Sequence, residues 1–133
     1  MKRILPAYAA TLVTLVVLDF LWLGVVATPM YQSGIGHLMA DKPNLPVAGL
    51  FYLMYAAGLM RFGVLGLPAE QGWKKAAVAG GIFGFFTYAT YDLTNLALLR
   101  DWPLGMSLAD IAWGVTVSAA SSAMGRLTYV KLA

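Results

Sequence analysis

Acids set inside apolar sequence are the residues with the most chemistry to offer here. The stretch Tyr88-Ala89-Thr90-Tyr91-Asp92-Leu93-Thr94-Asn95 lies within a long apolar segment, and Asp19 and Asp110 interrupt two others. At the centre of a membrane helix an aspartate costs about 2.5–3.5 kcal/mol, so it needs a partner or a task. A carboxyl in that setting can hold a cation, couple binding to a proton or act as an acid–base group, with Asp19 and Asp92 the candidates for the last role. A purely structural network, with Asp accepting from Tyr, Trp N–H and Asn, is the competing account. Asp110 has a further one, as an acid near the start of its helix.

Spacing gathers other groups around the acids. Residues three and four apart share a helix face, which joins Tyr88, Asp92 and Asn95, with Gly81 and Gly84 further along. The same rule sets Trp22 beside Asp19, and Trp113 beside Asp110. Asp19-Phe20-Leu21-Trp22 and Asp110-Ile111-Ala112-Trp113 both read D-x-x-W, one way of placing an acid beside a large ring. Tyr52 and Tyr55 lie at matching depth on another segment. The expected binding set is therefore Asp19, Trp22, Tyr52, Tyr55, Tyr88, Tyr91, Asp92, Asn95, Asp110 and Trp113, around one cavity.

Other chemistries are poorly provided for. There is no cysteine and a single histidine, His37, so neither a thiolate nucleophile nor a multi-histidine metal site can form within one chain. Three Asp with an Asn suit a hard cation such as Ca²⁺ or Mg²⁺ in chemistry. They lack any dedicated loop spacing, and no metal is expected. No phosphate-binding glycine loop, H-E-x-x-H or G-x-S-x-G occurs. The net charge is +3, but without a basic stripe interleaved with aromatics it does not point to nucleic acid.

The elements that must position these residues are membrane helices. Hydrophobic residues make up 60% of the 133-residue chain and charged ones 11%, against about 45–50% and 25% in soluble domains. A bilayer core takes about 20 apolar residues of helix. Four stretches qualify, at about 4–27, 47–65, 76–99 and 108–130, and form a single domain. They lack the period-two alternation of a barrel, so strands are not expected. The first begins like a cleavable signal, but it is too long and Asp19 interrupts it. Between the first two, Pro29, Pro43 and Pro46 are expected to break helices. Tyr31, Ile35, Leu38 and Met39 would share one face of a short interfacial helix at about 30–40. Trp73 and Trp102 suit interface anchors, and Ser107 an N-cap. Gly80 and Gly84 make a GxxxG spacing, and Gly114, Ser118, Ser121, Ser122 and Gly125 a small stripe; both favour close helix packing.

Charge sets the orientation. Four spans leave Lys2, Arg3, Arg61, Lys74, Lys75, Arg126 and Lys131 on one side and only Lys42 and Arg100 on the other. Positive residues favour the cytoplasm, so both termini are expected there, in an all-α, four-helix antiparallel transmembrane bundle. At 1.5 Å per residue, Asp19 and Asp92 then lie roughly 12 and 10 Å inside the outer surface. Asp110 is shallower.

The motifs D-F-L-W-L-G at 19–24, F-Y-x-x-Y at 51–55, Y-A-T-Y-D-L-T-N at 88–95 and D-I-A-W-G at 110–114 resemble the bacterial domain-of-unknown-function (DUF) 2177 membrane family. The resemblance spans essentially the whole chain. It implies a small protein of the bacterial inner membrane and brings no established activity or site roles.

Three functions compete at this point. The first is binding or transport of a small cationic or amphipathic ligand, with a protonatable Asp coupling release to protons. Transport through so small a protomer calls for a homodimer, with the glycine and serine stripes as seams. The second is a membrane enzyme that modifies a lipid or fatty-acyl substrate. The third is a structural subunit of a membrane complex.

Overall fold

The computed structural model describes residues 2–133, which are helical almost throughout. Helix α1 spans Ile4–Leu21 and passes through a π-helical turn, Trp22–Ala27, into α2, Thr28–Ile35; a 3₁₀ turn, Gly36–Leu38, follows. Helix α3 spans Leu45–Leu59 and ends in a second π-helical turn, Met60–Val64. Helices α4, Trp73–Leu98, and α5, Leu104–Lys131, complete the chain. Two stretches, Ile4–Leu38 and Leu45–Val64, are long and apolar enough to cross a membrane. Helices α4 and α5 have the length, at 26 and 28 residues, but carry more polar side chains.

The first helix shows the pattern of a protein in lipid. Its buried residues are Ala7, Thr11, Leu15 and Asp19, an i, i+4 stripe. Leu5, Val13, Val17, Phe20 and Leu21 are exposed around it. A helix apolar on every face belongs in an apolar solvent.

Pro29 does not end this helix, contrary to expectation. Proline lacks the N–H that would close an ordinary helical turn. The π-helical turn just before it absorbs the mismatch, and the Thr28 N–H and hydroxyl both donate to the Leu23 carbonyl. The chain bends into α2 without losing its helix, which carries Tyr31 back over the bundle. Pro46 likewise sits in the first turn of α3, where its missing N–H is harmless. Asn44 caps that turn, its Oδ1 accepting from the Val47 N–H at 3.2 Å. Helix α5 starts earlier than expected, with Pro103 at its N-cap. Ser107 is therefore inside the helix, donating to the Pro103 carbonyl at 2.9 Å, and caps nothing. Asp110 falls beyond the first turn.

Small residues hold α4 against α5. A Cβ on Gly80 would strike Ser122, and one on Gly84 would strike Ser118 and the Gly114 carbonyl. Tyr88 in turn lies flat on Gly114. Contacts 80 to 122, 84 to 118 and 88 to 114 run in opposite order along the two helices. Helix α1 meets α5 the same way, with Gly125 against Thr11 and Asp19 bonded to Trp113. The apolar core gathers Leu15, Tyr55, Ala56, Leu59 and Val117.

Arg126 seals one end of this core. It is 2% exposed. Its Nε donates to the Gln71 carbonyl at 2.9 Å, Nη1 to Val64 at 2.8 Å and Nη2 to Pro68 at 2.9 Å. The guanidinium thus satisfies the Val64 carbonyl at the end of the π-helical turn and ties down the loop after it through Pro68 and Gln71. Read as a loop-flanking cation from sequence, it is instead a buried tie. At the same end Arg3 Nε donates to the Tyr129 carbonyl at 3.0 Å, drawing together the first residues of α1 and the last of α5.

Candidate functional site

The other end of the bundle carries the acids. Asp19, in the last turn of α1, accepts from Tyr52 Oη of α3 at 2.5 Å and from Trp113 Nε1 of α5 at 3.0 Å. Trp113 stacks on Trp22, with ring centroids 4.7 Å apart and planes 5° from parallel. Trp22 Nε1 donates to Tyr31 Oη at 3.4 Å, and Tyr31 donates to Asp110 Oδ1 at 2.6 Å. One chain of hydrogen bonds and stacked rings therefore links Asp19 to Asp110 through α1, α5, the Trp22–Ala27 turn and α2. Both oxygens of Asp19 are engaged; Asp110 has one donor.

These groups border a cavity of about 400 Å³, within the size range of small-molecule sites. Six of the expected residues line it: Asp19, Trp22, Tyr55, Tyr88, Tyr91 and Asp110. Tyr52 and Trp113 stand behind it as donors to Asp19. Its floor is Tyr55, whose hydroxyl pairs with Ser118 Oγ at 2.6 Å and Thr87 Oγ1 at 2.9 Å. Apolar Leu23, Phe51 and Met54 form part of the wall and are themselves exposed. Helix α3 packs on α4 chiefly through the Met60–Val64 turn. Beyond that turn the two helices meet through side chains, Tyr55 against Phe83, Thr87 and Tyr88, and the exposed Phe51 and Met54 of α3 border the cavity.

Asp92 is in a neighbouring cavity of about 150 Å³, lined also by Asp110, Tyr31, Tyr91 and Trp102. It is 1% exposed, and among the described residues neither carboxyl oxygen receives a donor; its carboxyl faces that of Asp110 within hydrogen-bonding reach. Asp110, Tyr31 and Tyr91 line both cavities, which makes them lobes of one site. Among the described residues, no lysine, arginine or histidine lines either lobe. Three carboxyls without a facing cation make a field that favours positive charge. Asn95 lines neither lobe, although its spacing put it on the Asp92 face.

Several residues of this site escaped the sequence. Tyr31 was expected on an interfacial helix, but the uninterrupted turn through Pro29 folds it onto Asp110. Trp102 is 8% exposed and packs its ring edge-on against Tyr91 at 5.7 Å, so it is a wall of the smaller lobe and not an interface anchor. Phe51 was visible in the F-Y-x-x-Y motif beside Tyr52 and Tyr55. Met54 carried no signal apart from being next to Tyr55, and Thr87 none apart from one-turn spacing to Tyr91. His37 is exposed and sits 3.8 Å from Asp101; it lines neither lobe, although Ile35, Met39 and Trp102 on either side of the pair line the smaller one.

Comparison with known proteins is sparse. No curated protein and no solved structure matches this chain. A family model described as a predicted membrane protein (DUF2177) matches residues 4–127, nearly the whole length. The chain therefore belongs to the DUF2177 family of predicted membrane proteins.

Proposed function

We propose that this membrane protein crosses the bacterial inner membrane four times as an antiparallel bundle, with both termini cytoplasmic, and binds a small amphipathic cation from the bilayer. The opposite contact order of α4 against α5 and of α1 against α5 supports the bundle. The meeting of Arg3 with Tyr129 supports termini on one side, and the excess of lysine and arginine there supports the cytoplasmic side.

The observation that carries the ligand is the lateral cavity of about 400 Å³ bearing Asp19 and Asp110. An apolar wall that includes the exposed Leu23, Phe51 and Met54 suits a chain arriving from lipid. Carboxylates and aromatic faces suit a positive head, since aromatic rings attract cations by about 0.5–2 kcal/mol.

The test is calorimetric titration of the purified protein in lipid nanodiscs with dodecylammonium. Saturable binding above that of empty nanodiscs is expected, and dodecyl sulfate should not compete. Asp110→Asn should weaken binding tenfold or more. Uptake no greater than partitioning into empty nanodiscs would remove this reading.

A further inference from the structure

Asp19 and Asp92 are not equivalent acceptors, and the difference bears on what kind of head the site takes. Asp19 receives Tyr52 on one oxygen and Trp113 on the other. Asp92, more deeply buried, receives no donor from the described residues on either, and its carboxyl faces that of Asp110. Asp110 beside it keeps one oxygen that Tyr31 does not occupy. The smaller lobe therefore presents three carboxyl oxygens without a donor, on α4 and α5, in about 150 Å³. Its remaining titratable groups are the phenols of Tyr31 and Tyr91, and its other unpartnered group, the Trp102 indole N–H, adds no positive charge.

Buried carboxylates are tolerated when paired with charge and with hydrogen-bond donors. A primary ammonium offers a charge and three N–H donors. A quaternary ammonium offers the charge alone and is held by ring faces. Resting on the reading that the cavity binds an amphipathic cation, we propose that the smaller lobe, between Asp92 and Asp110, selects a primary ammonium head over a quaternary one. The apolar body of the ligand then occupies the larger lobe and leaves past the exposed Phe51 and Met54. Asp92 is a head-group specificity residue, while Asp19 is held by Tyr52 and Trp113 in the wall of the larger lobe.

The experiment compares dodecylammonium with dodecyltrimethylammonium at pH 7, where both are charged, in nanodiscs, each corrected for empty nanodiscs. The wild type should prefer the primary amine at least tenfold. Asp92→Asn should reduce primary-amine affinity about tenfold and abolish the preference, with trimethylammonium binding little changed. Asp110→Asn serves as the second variant and should also lose the preference. Asp41→Asn, an exposed loop change, should keep it. A wild type that binds both amines equally overturns this inference while leaving cation binding intact. So does an Asp92→Asn protein that keeps the preference; the two acids would then satisfy each other by sharing a proton. Failure of both amines to bind removes the cation reading itself.

Discussion

The two ends of this bundle answer the same problem, buried polar groups among apolar helices, in opposite ways. At the Arg126 end every guanidinium nitrogen has a carbonyl, and glycine and serine bring the backbones together. At the acid end tyrosine and tryptophan rings line cavities between the helices, and among the described residues Asp92 receives no donor and faces only another acid, Asp110. At one end the buried charge is met within the chain, and only the uncharged hydroxyls of Ser121 and Ser122 lack a partner among the described residues. At the other the carboxyls of Asp92 and Asp110 meet no cation among the described residues. Such a contrast separates a part built for stability from a part built for binding.

The largest expected effect falls at the closed end. Arg126→Met keeps bulk but strips donors from three carbonyls. Charge-assisted bonds are each worth about 1.5–3 kcal/mol, and the three are not additive, so a loss of about 4 kcal/mol is expected. Unfolding by denaturing detergent, followed by circular dichroism, measures it. A loss below about 1 kcal/mol would mean that water or lipid replaces the guanidinium and the end is not closed.

Glycine substitutions sharpen the comparison at the next level. Gly80→Val or Gly84→Val drives a branched side chain into Ser122 or Ser118. Overpacking of this kind costs about 1–3 kcal/mol. Gly24, in the turn near the acids, has nothing within 4 Å of the place a Cβ would take. Gly24→Ala should therefore leave stability unchanged or raise it by up to about 1 kcal/mol. Thermal unfolding in detergent compares the three variants. Equal losses at Gly24 and Gly80 would erase the distinction between the two ends.

How far each end could be read beforehand follows from the reach of its interactions. Long apolar runs and small-residue spacing are local patterns, so the helices and the Gly80–Gly84 seam were legible. The clustering of Asp19 with Asp110 was legible too, since orientation converts position into depth. Arg126 was not, because nothing local separates a cation that ties down three remote carbonyls from one that flanks a loop. Tyr31 was hidden by Pro29, whose helix-breaking tendency is overridden by the π-helical turn and the Thr28 hydroxyl. Ser107 looked like a cap because Ser is a common cap residue, yet the helix had already begun after Pro103. Asn95 shared the Asp92 face by period alone, and period does not say where a cavity ends.

The smallest effect tests the acid end directly. Tyr52→Phe removes one of the two donors to Asp19 and leaves Trp113 at 3.0 Å. Hydrogen bonds to a charged group contribute about 1.5–3 kcal/mol when buried. Tyr52 is only half-buried, so a loss of about 1 kcal/mol is expected. Trp113→Phe should cost slightly more, because it also removes an N–H while keeping a ring against Trp22. The double variant decides what Asp19 is for. If the two losses add, Asp19 has been stripped to a bare carboxylate in an apolar wall, and its intact form depends on both donors. If the double variant costs no more than the larger single one, Asp19 finds a replacement partner in the cavity. The acid end would then be soft enough to rearrange around a ligand, which the sealed Arg126 end is not.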